Sequence, residues 1–147
     1  MIKADWDQRY IDLAKFISQW SKDPSTKTGA VLVRDNRIVS VGYNGFAEGV
    51  QDTQERLNDR PTKYKYTVHC EKNAVLTAAK QGNSTNKTTL YTWPFQSCLD
   101  CTSHMIQAGV IRHVAPKVPD ELLERWGEDM AEATALFYSV GIEVVLL

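Results

Sequence analysis

The sequence predicts an α/β protein, a three-layer α/β/α sandwich built on a mixed five-stranded sheet. Three observations lead there. An apolar run, Gly29 to Val33, is followed after a tight turn by a second strand-like run, Arg37 to Tyr43, so the two form a hairpin. Beyond the hairpin, segments of helical spacing alternate with short β-branched and aromatic runs. The chain has 147 residues, the length of one domain (1–147) that buries a core without disulfides.

Taken in order, Asp5 and Gln8 read as a capping box that opens the first helix. Trp6, Tyr10, Leu13, Ile17 and Trp20 then recur at helical spacing as its buried stripe. Ser21 to Thr28 (SKDPSTKT) is a polar loop broken by Pro24. GAVLV is a central strand, Asp35-Asn36 a tight turn and RIVSVGY the hairpin partner. Asn44 to Tyr66 has little periodicity, and a loop this long in a compact domain is usually functional or disordered, the first being favoured by where it leads. It leads directly to His69.

A helix is expected over Thr67 to Lys80, with Cys70, Ala74, Val75 and Ala78 on its buried face and its end near Gly82. Thr88 to Trp93 is the third strand. A helix from Cys98 to Gln107 stops near Gly109, and Ile111 to Ala115 is the fourth strand. Asp120 to Tyr138 is helical with Gly127 as a point of interruption, and Ile142 to Leu147 completes the sheet.

Composition narrows the function. With 43% apolar and 24% charged residues the chain is globular, and no apolar run is long enough to span a bilayer. MIKADWDQRY lacks the apolar core of an export signal, and three cysteines with one C-x-x-C pair do not make a disulfide framework. A reducing, cytoplasmic location is expected. A net charge of −1 gives no support to binding a long polyanion, yet admits a substrate with one phosphate.

The chemistry concentrates in two stretches. TVHCEKNAVLTAAK sets His69 and Glu71 at the start of a helix, where side chains point back toward its N-terminus. QSCLDC supplies Cys98 and Cys101, again at a helix start. Zinc takes imidazole and thiolate in tetrahedral geometry, and a catalytic site keeps one position open. His69, Cys98 and Cys101 are three ligands and leave that position free. His104 and Cys70 are the candidates for a fourth. One lies a helical turn beyond Cys101, and the other falls on an apolar face where a small buried thiol is ordinary. His113 reads as a structural strand residue. Positive helix ends favour thiolates. Because two thiolates neutralise the ion, its water needs a base, and Glu71 is placed to move that proton.

H-x-E followed by one C-x-x-C resembles the zinc base-deaminase pattern H-x-E…P-C-x-x-C, with Ser97 in the proline's place. More widely the chain resembles the cytidine and deoxycytidylate deaminase superfamily, most closely its deoxycytidylate (dCMP) branch. SKDPSTKTGAVLV, GYNGF, RPTKYKYTVHCEKNAV and HMIQAGVIRHV carry the likeness. It implies zinc on His69, Cys98 and Cys101, proton transfer by Glu71, attack on C4 of cytosine, release of ammonia and formation of dUMP. It further implies Asn44 on a sugar hydroxyl, Thr28 near the base and the backbone around Ser97 at the exocyclic amine. Lys22, Ser25, Thr26 and Lys27 are phosphate candidates from the first loop, and Arg56, Arg60, Lys63 and Lys65 from the long one. A homo-oligomer with dCTP and dTTP as effectors belongs to the same implication. The departures are Ser97, a TWPFQSC segment longer than usual, Cys70 where alanine is more usual, and NGFAEG without the proline common after N-G. Two other readings stay open: a nucleic-acid deaminase of the tRNA adenosine type, and a non-catalytic nucleotide-binding module whose structural zinc has a fourth protein ligand.

Overall fold

In the computed structural model, which describes residues 2–147 with side chains from Asp5 onward, helix α1 (Ile2–Ser18) precedes the hairpin β1 (Gly29–Arg34) and β2 (Arg37–Tyr43). Its two turn residues, Asp35 and Asn36, have φ of 51° and 57°, the left-handed pair that suits a two-residue hairpin. Then come β3 (Gly45–Phe46), α2 (Gln54–Asn58), α3 (Arg60–Tyr66), β4 (Thr67–Val68) and α4 (Cys70–Gln81). The chain continues through β5 (Thr88–Trp93), α5 (Leu99–Gln107), β6 (Val110–Ala115), α6 (Asp120–Ser139) and β7 (Glu143–Leu146).

Five strands form one mixed sheet in the order β2-β1-β5-β6-β7. β1 runs antiparallel to both β2 and β5, while β5, β6 and β7 are mutually parallel. Ala30, Leu32, Leu90 and Val110 point to one face and meet Cys70 and Ala74 of α4, Met105 of α5 and Phe137 of α6. Val31, Val33, Tyr91 and Val114 point to the other and meet Tyr10, Ile11 and Ala14 of α1. Burial on both faces is why GAVLV is apolar without alternation. The expected three layers and five-stranded sheet are therefore present.

Five local expectations are corrected. α1 begins at Ile2, so Asp5 lies in its first turn, and the Gln8 amide donates to Asp12 instead of reaching back to a cap. Trp20 follows the helix end and is 54% exposed, and the buried stripe is Tyr10, Ile11, Ala14 and Ile17. The stretch from Asn44 to Tyr66 holds two short helices, capped by Thr53 and Asp59, which are too brief to show a period. Thr67 and Val68 pair with β3, so α4 starts at Cys70. α6 runs unbroken through Gly127, because Met130, Ala133 and Phe137 anchor it.

α4 lies unusually close to β2. A Cβ built on Gly42 would stand 2.5 Å from both the Ala74 nitrogen and the Cys70 carbonyl oxygen, which are backbone atoms of α4's first turns. Only glycine fits that seam. Gly42→Ala is expected to destabilise the fold by about 1–3 kcal/mol in urea unfolding. Gly45→Ala, where nothing lies within 4 Å, is the near-neutral control.

Candidate active site

Both sequence motifs fold as helix starts with a metal donor at the N-cap. His69 caps α4 without making a side-chain cap bond, and Cys98 caps α5 by accepting from the Cys101 N–H at 3.5 Å. The His69 ring instead turns its Nδ1 to Cys101 Sγ at 3.2 Å and Cys98 Sγ at 3.6 Å. All three donor atoms lie within 4.8 Å of one another, and no other such His, Cys, Asp or Glu cluster occurs among the described residues. With Zn–S near 2.3 Å and Zn–N near 2.0 Å, a tetrahedron has edges of roughly 3.5–3.8 Å, so the donor set fits zinc in kind and in spacing. Neither candidate for a fourth ligand joins it. His104 turns Nδ1 to the Asp100 carbonyl on the surface, and Cys70 Sγ sits 2.8 Å from Glu71 Oε1.

The thiols share one ionisation before a cation is added. A hydrogen bond from Cys101, with help from His69, holds the Cys98 thiol well below its usual range. The same bond, then burial, holds Cys101 protonated. With a divalent cation held by His69, Cys98 and Cys101, both thiols would bind as thiolates. Lys72 of α4 reaches Asp100 of α5 at 2.6 Å and ties the two helix starts together.

Glu71 is buried, and burial pushes its carboxyl up, against the lowering effect of the hydrogen bond from Cys70. Cys70 also feels the side chain of Thr28, so Thr28, Cys70 and Glu71 form one contiguous group. Asn44, at the end of β2, is buried. Its Oδ1 accepts from the Thr28 N–H at 2.8 Å, and its Nδ2 donates to the Thr26 carbonyl at 2.9 Å. The amide thus anchors the end of the SKDPSTKT loop.

That loop has a second anchor invisible in the sequence. Asp23 Oδ1 accepts from the backbone N–H groups of Ser25 and Thr26 and from Lys63 Nζ at 3.1 Å, in a pair whose side chains are both about nine-tenths buried. Lys63 is therefore committed to Asp23. Lys22 is exposed and pairs with Asp52 at 3.0 Å, while Arg56 donates to the Gln51 carbonyl and lies over Tyr66.

Ser97 is buried directly before Cys98. Its N–H donates to His113 Nε2 at 3.1 Å, and the opposite ring nitrogen meets the Leu90 carbonyl at 3.0 Å. Two further supports come from α6: Asp129 accepts from the Leu99 N–H at the start of α5, and Thr134 accepts from the Gln96 amide. None of these partners was legible beforehand. The one available signal was Ser97 itself, whose buried N–H requires an acceptor that a proline would not.

A mixed sheet carrying an imidazole and two thiols at adjoining helix starts defines a zinc-binding deaminase domain. The family profile described as "Cytidine and deoxycytidylate deaminase zinc-binding region" matches residues 4–116. The chain belongs to the cytidine and deoxycytidylate deaminase family. It is 37% identical over 144 residues to the "Uncharacterized deaminase in luxG 3'region" of Aliivibrio fischeri, covering 98% of this chain and 95% of that one. To the "Probable deoxycytidylate deaminase" of Caenorhabditis elegans it is 37% identical, over 89% of this chain and 67% of the relative. To the deoxycytidylate deaminase of Mus musculus it is 34% identical, over 94% and 77%. The fold matches the dCMP deaminase of cyanophage S-TIM5 in complex with dCMP and dUMP at a TM-score of 0.77, 22% identity and 97% coverage of each chain. Among the described residues no helix is long and apolar enough to cross a membrane.

Burial lowers His113 from 6.5 to about 4, against the raising effect of its bond to Leu90. Between those values the unfolded chain binds a proton that the folded one refuses, so stability rises with pH across the window. Metal-free wild type is expected to lose up to about 3 kcal/mol more than His113→Gln between pH 7 and pH 4, read by urea unfolding at each pH.

Proposed function

We propose that residues 1–147 form one deaminase domain that hydrolyses dCMP to dUMP and ammonia. The observation that carries this is the His69, Cys98 and Cys101 cluster with a buried carboxylate, Glu71, beginning the same helix as His69's cap. When bound, zinc supplies the Lewis acidity that makes water a nucleophile at neutral pH. Glu71 would carry one proton of the attacking water to the ring nitrogen beside C4 and the second to the C4 amine, so that the C–N bond breaks, ammonia departs and the oxygen stays on C4 as a carbonyl. A carboxyl whose proton affinity is raised by burial suits a group that must both accept and return a proton.

The remaining residues bind and orient. Asn44 retains one amide hydrogen and one lone pair for the sugar hydroxyl after anchoring Thr26 and Thr28. Thr28 stands beside the base, and the backbone at Ser97 meets the exocyclic amine. The hydroxyls of Ser25 and Thr26, on the anchored loop, and the exposed ammonium of Lys22 receive the phosphate. The names of the worm and mouse relatives favour dCMP over other cytosine nucleotides. The resemblance carries dCTP and dTTP as effectors, and a cleft lined by Trp20, Lys22, Asn44, Phe46 and Asp52 opens beside the GYNGF turn. Self-association would cover the exposed Phe16, Trp20 and Tyr43, whose rings stack edge-on at 5.9 and 6.2 Å.

Ammonia release measured across dCMP, CMP, deoxycytidine, dCTP, 5-substituted dCMP, RNA and single-stranded DNA should favour dCMP. Deamination of a polymer without dCMP turnover would reverse the assignment. Glu71→Gln should lower kcat by about 10³-fold or more with zinc still bound. Near-wild-type turnover in that variant removes Glu71 from the mechanism.

A further inference from the structure

The Gln96–Ser97 peptide, one residue before Cys98, carries a main-chain N–H where the deaminase pattern has a proline ring. Ser97 is 1% exposed, so that N–H has no access to water and must be paired within the protein. Its partner is His113, on β6, 3.1 Å away at Nε2. Nδ1 of the same ring lies 3.0 Å from the Leu90 carbonyl of β5, which can only accept. One tautomer satisfies both contacts: the proton sits on Nδ1, and Nε2 receives the Ser97 N–H. The ring is fully buried and packs 5.3 Å from Phe137, centroid to centroid.

The serine side chain is enlisted too. Thr102 Oγ1 is 2.9 Å from the Cys98 carbonyl, to which it donates, and 2.9 Å from Ser97 Oγ, which therefore donates to it. Upstream, the Gln96 amide is tied to the Met130 carbonyl and to Thr134 of α6. The approach to the metal ligand is thus held by hydrogen bonds on every side, where a proline would hold it through a fixed φ.

We propose that His113 is a positioning residue for the zinc site. Through the Ser97 N–H it fixes the Gln96–Ser97 peptide just before Cys98, and so aims both the Cys98 thiolate and the backbone that faces the substrate amine. This rests on the zinc centre and, for turnover alone, on the dCMP reading.

The test is a double-mutant cycle on the full chain with His113→Leu, Ser97→Pro and the combination. Three readouts are taken: kcat and KM for dCMP, the rate of zinc loss to a chelator, and the thiolate-to-metal absorption of the cobalt-substituted protein. With Ser97 in place, His113→Leu strands a buried N–H and should cut kcat about tenfold or more with a smaller change in KM, speed zinc loss and shift the cobalt band. In the Ser97→Pro background the same substitution should be neutral or beneficial, since no N–H remains and the ring would face the proline's Cδ. Equal effects in both backgrounds, or an unchanged cobalt band with Ser97 present, would overturn the proposal. Failure of His113→Leu to fold in both backgrounds also overturns it, by showing that the ring only fills space. Folding restored by Ser97→Pro supports it. If the wild type does not turn over dCMP, the cobalt and chelation cycles still decide the role of His113, so the two readings fail separately.

Discussion

Everything at this site depends on two helices starting side by side with metal donors where their caps would be. An ordinary N-cap spends its side chain on the helix's own free N–H groups. His69 makes no such bond, and Cys98 accepts only one long contact from Cys101, so both side chains remain available to a cation. The two helix starts contribute positive potential that favours thiolate and carboxylate nearby. A site assembled this way needs the two helix starts held at a fixed separation. The seam at Gly42 fixes α4 against β2, the Lys72–Asp100 pair spans the helices, and Asp129 of α6 meets the first N–H of α5.

The rest of the molecule fixes the approach to that centre. The SKDPSTKT loop would be mobile from composition alone, yet Asn44 and the Asp23–Lys63 pair pin it at both ends. Burying an ion pair gains little net stability, because each charge gives up its hydration. Its effect here is to choose one geometry, since Asp23 also gathers the Ser25 and Thr26 N–H groups. Arg112 does comparable work on the opposite face, where it joins Asp7 of α1 to β6 and locks the first layer to the sheet.

How much of this was legible in the sequence follows from the range of the interactions. His69, Cys98 and Cys101 were readable as a zinc set because each motif is local and because zinc restricts ligand type so narrowly. β1 was readable because two-sided burial writes itself as an unbroken apolar run. Residues 54–66 were not, since helices of five and seven residues offer no repeat and depend on their Thr53 and Asp59 caps. Trp20 misled for the opposite reason: its spacing continues the helical period past Ser18, where the helix ends. Lys63 looked like a free cation because Asp23 lies forty positions earlier, and the Ser97–His113 contact bridges sixteen. Pattern reading finds donors well. It finds their partners only when they are neighbours in the chain.

Cys70 shows how these constraints meet at one residue. Its place on α4 is set by packing: it is buried against the sheet, and its carbonyl abuts Gly42. Its thiol nonetheless points at Glu71, where the alanine more usual in the resembling family would present no donor. A thiol is a weak donor, so it satisfies a buried carboxyl without holding it as firmly as a hydroxyl or an amide would. Burial raises the proton affinity of Glu71 and this bond lowers it, and the two oppose each other at the group proposed to carry the proton. Burial is the larger of the two, so the carboxyl keeps a raised proton affinity, as a group that must both accept and return a proton requires.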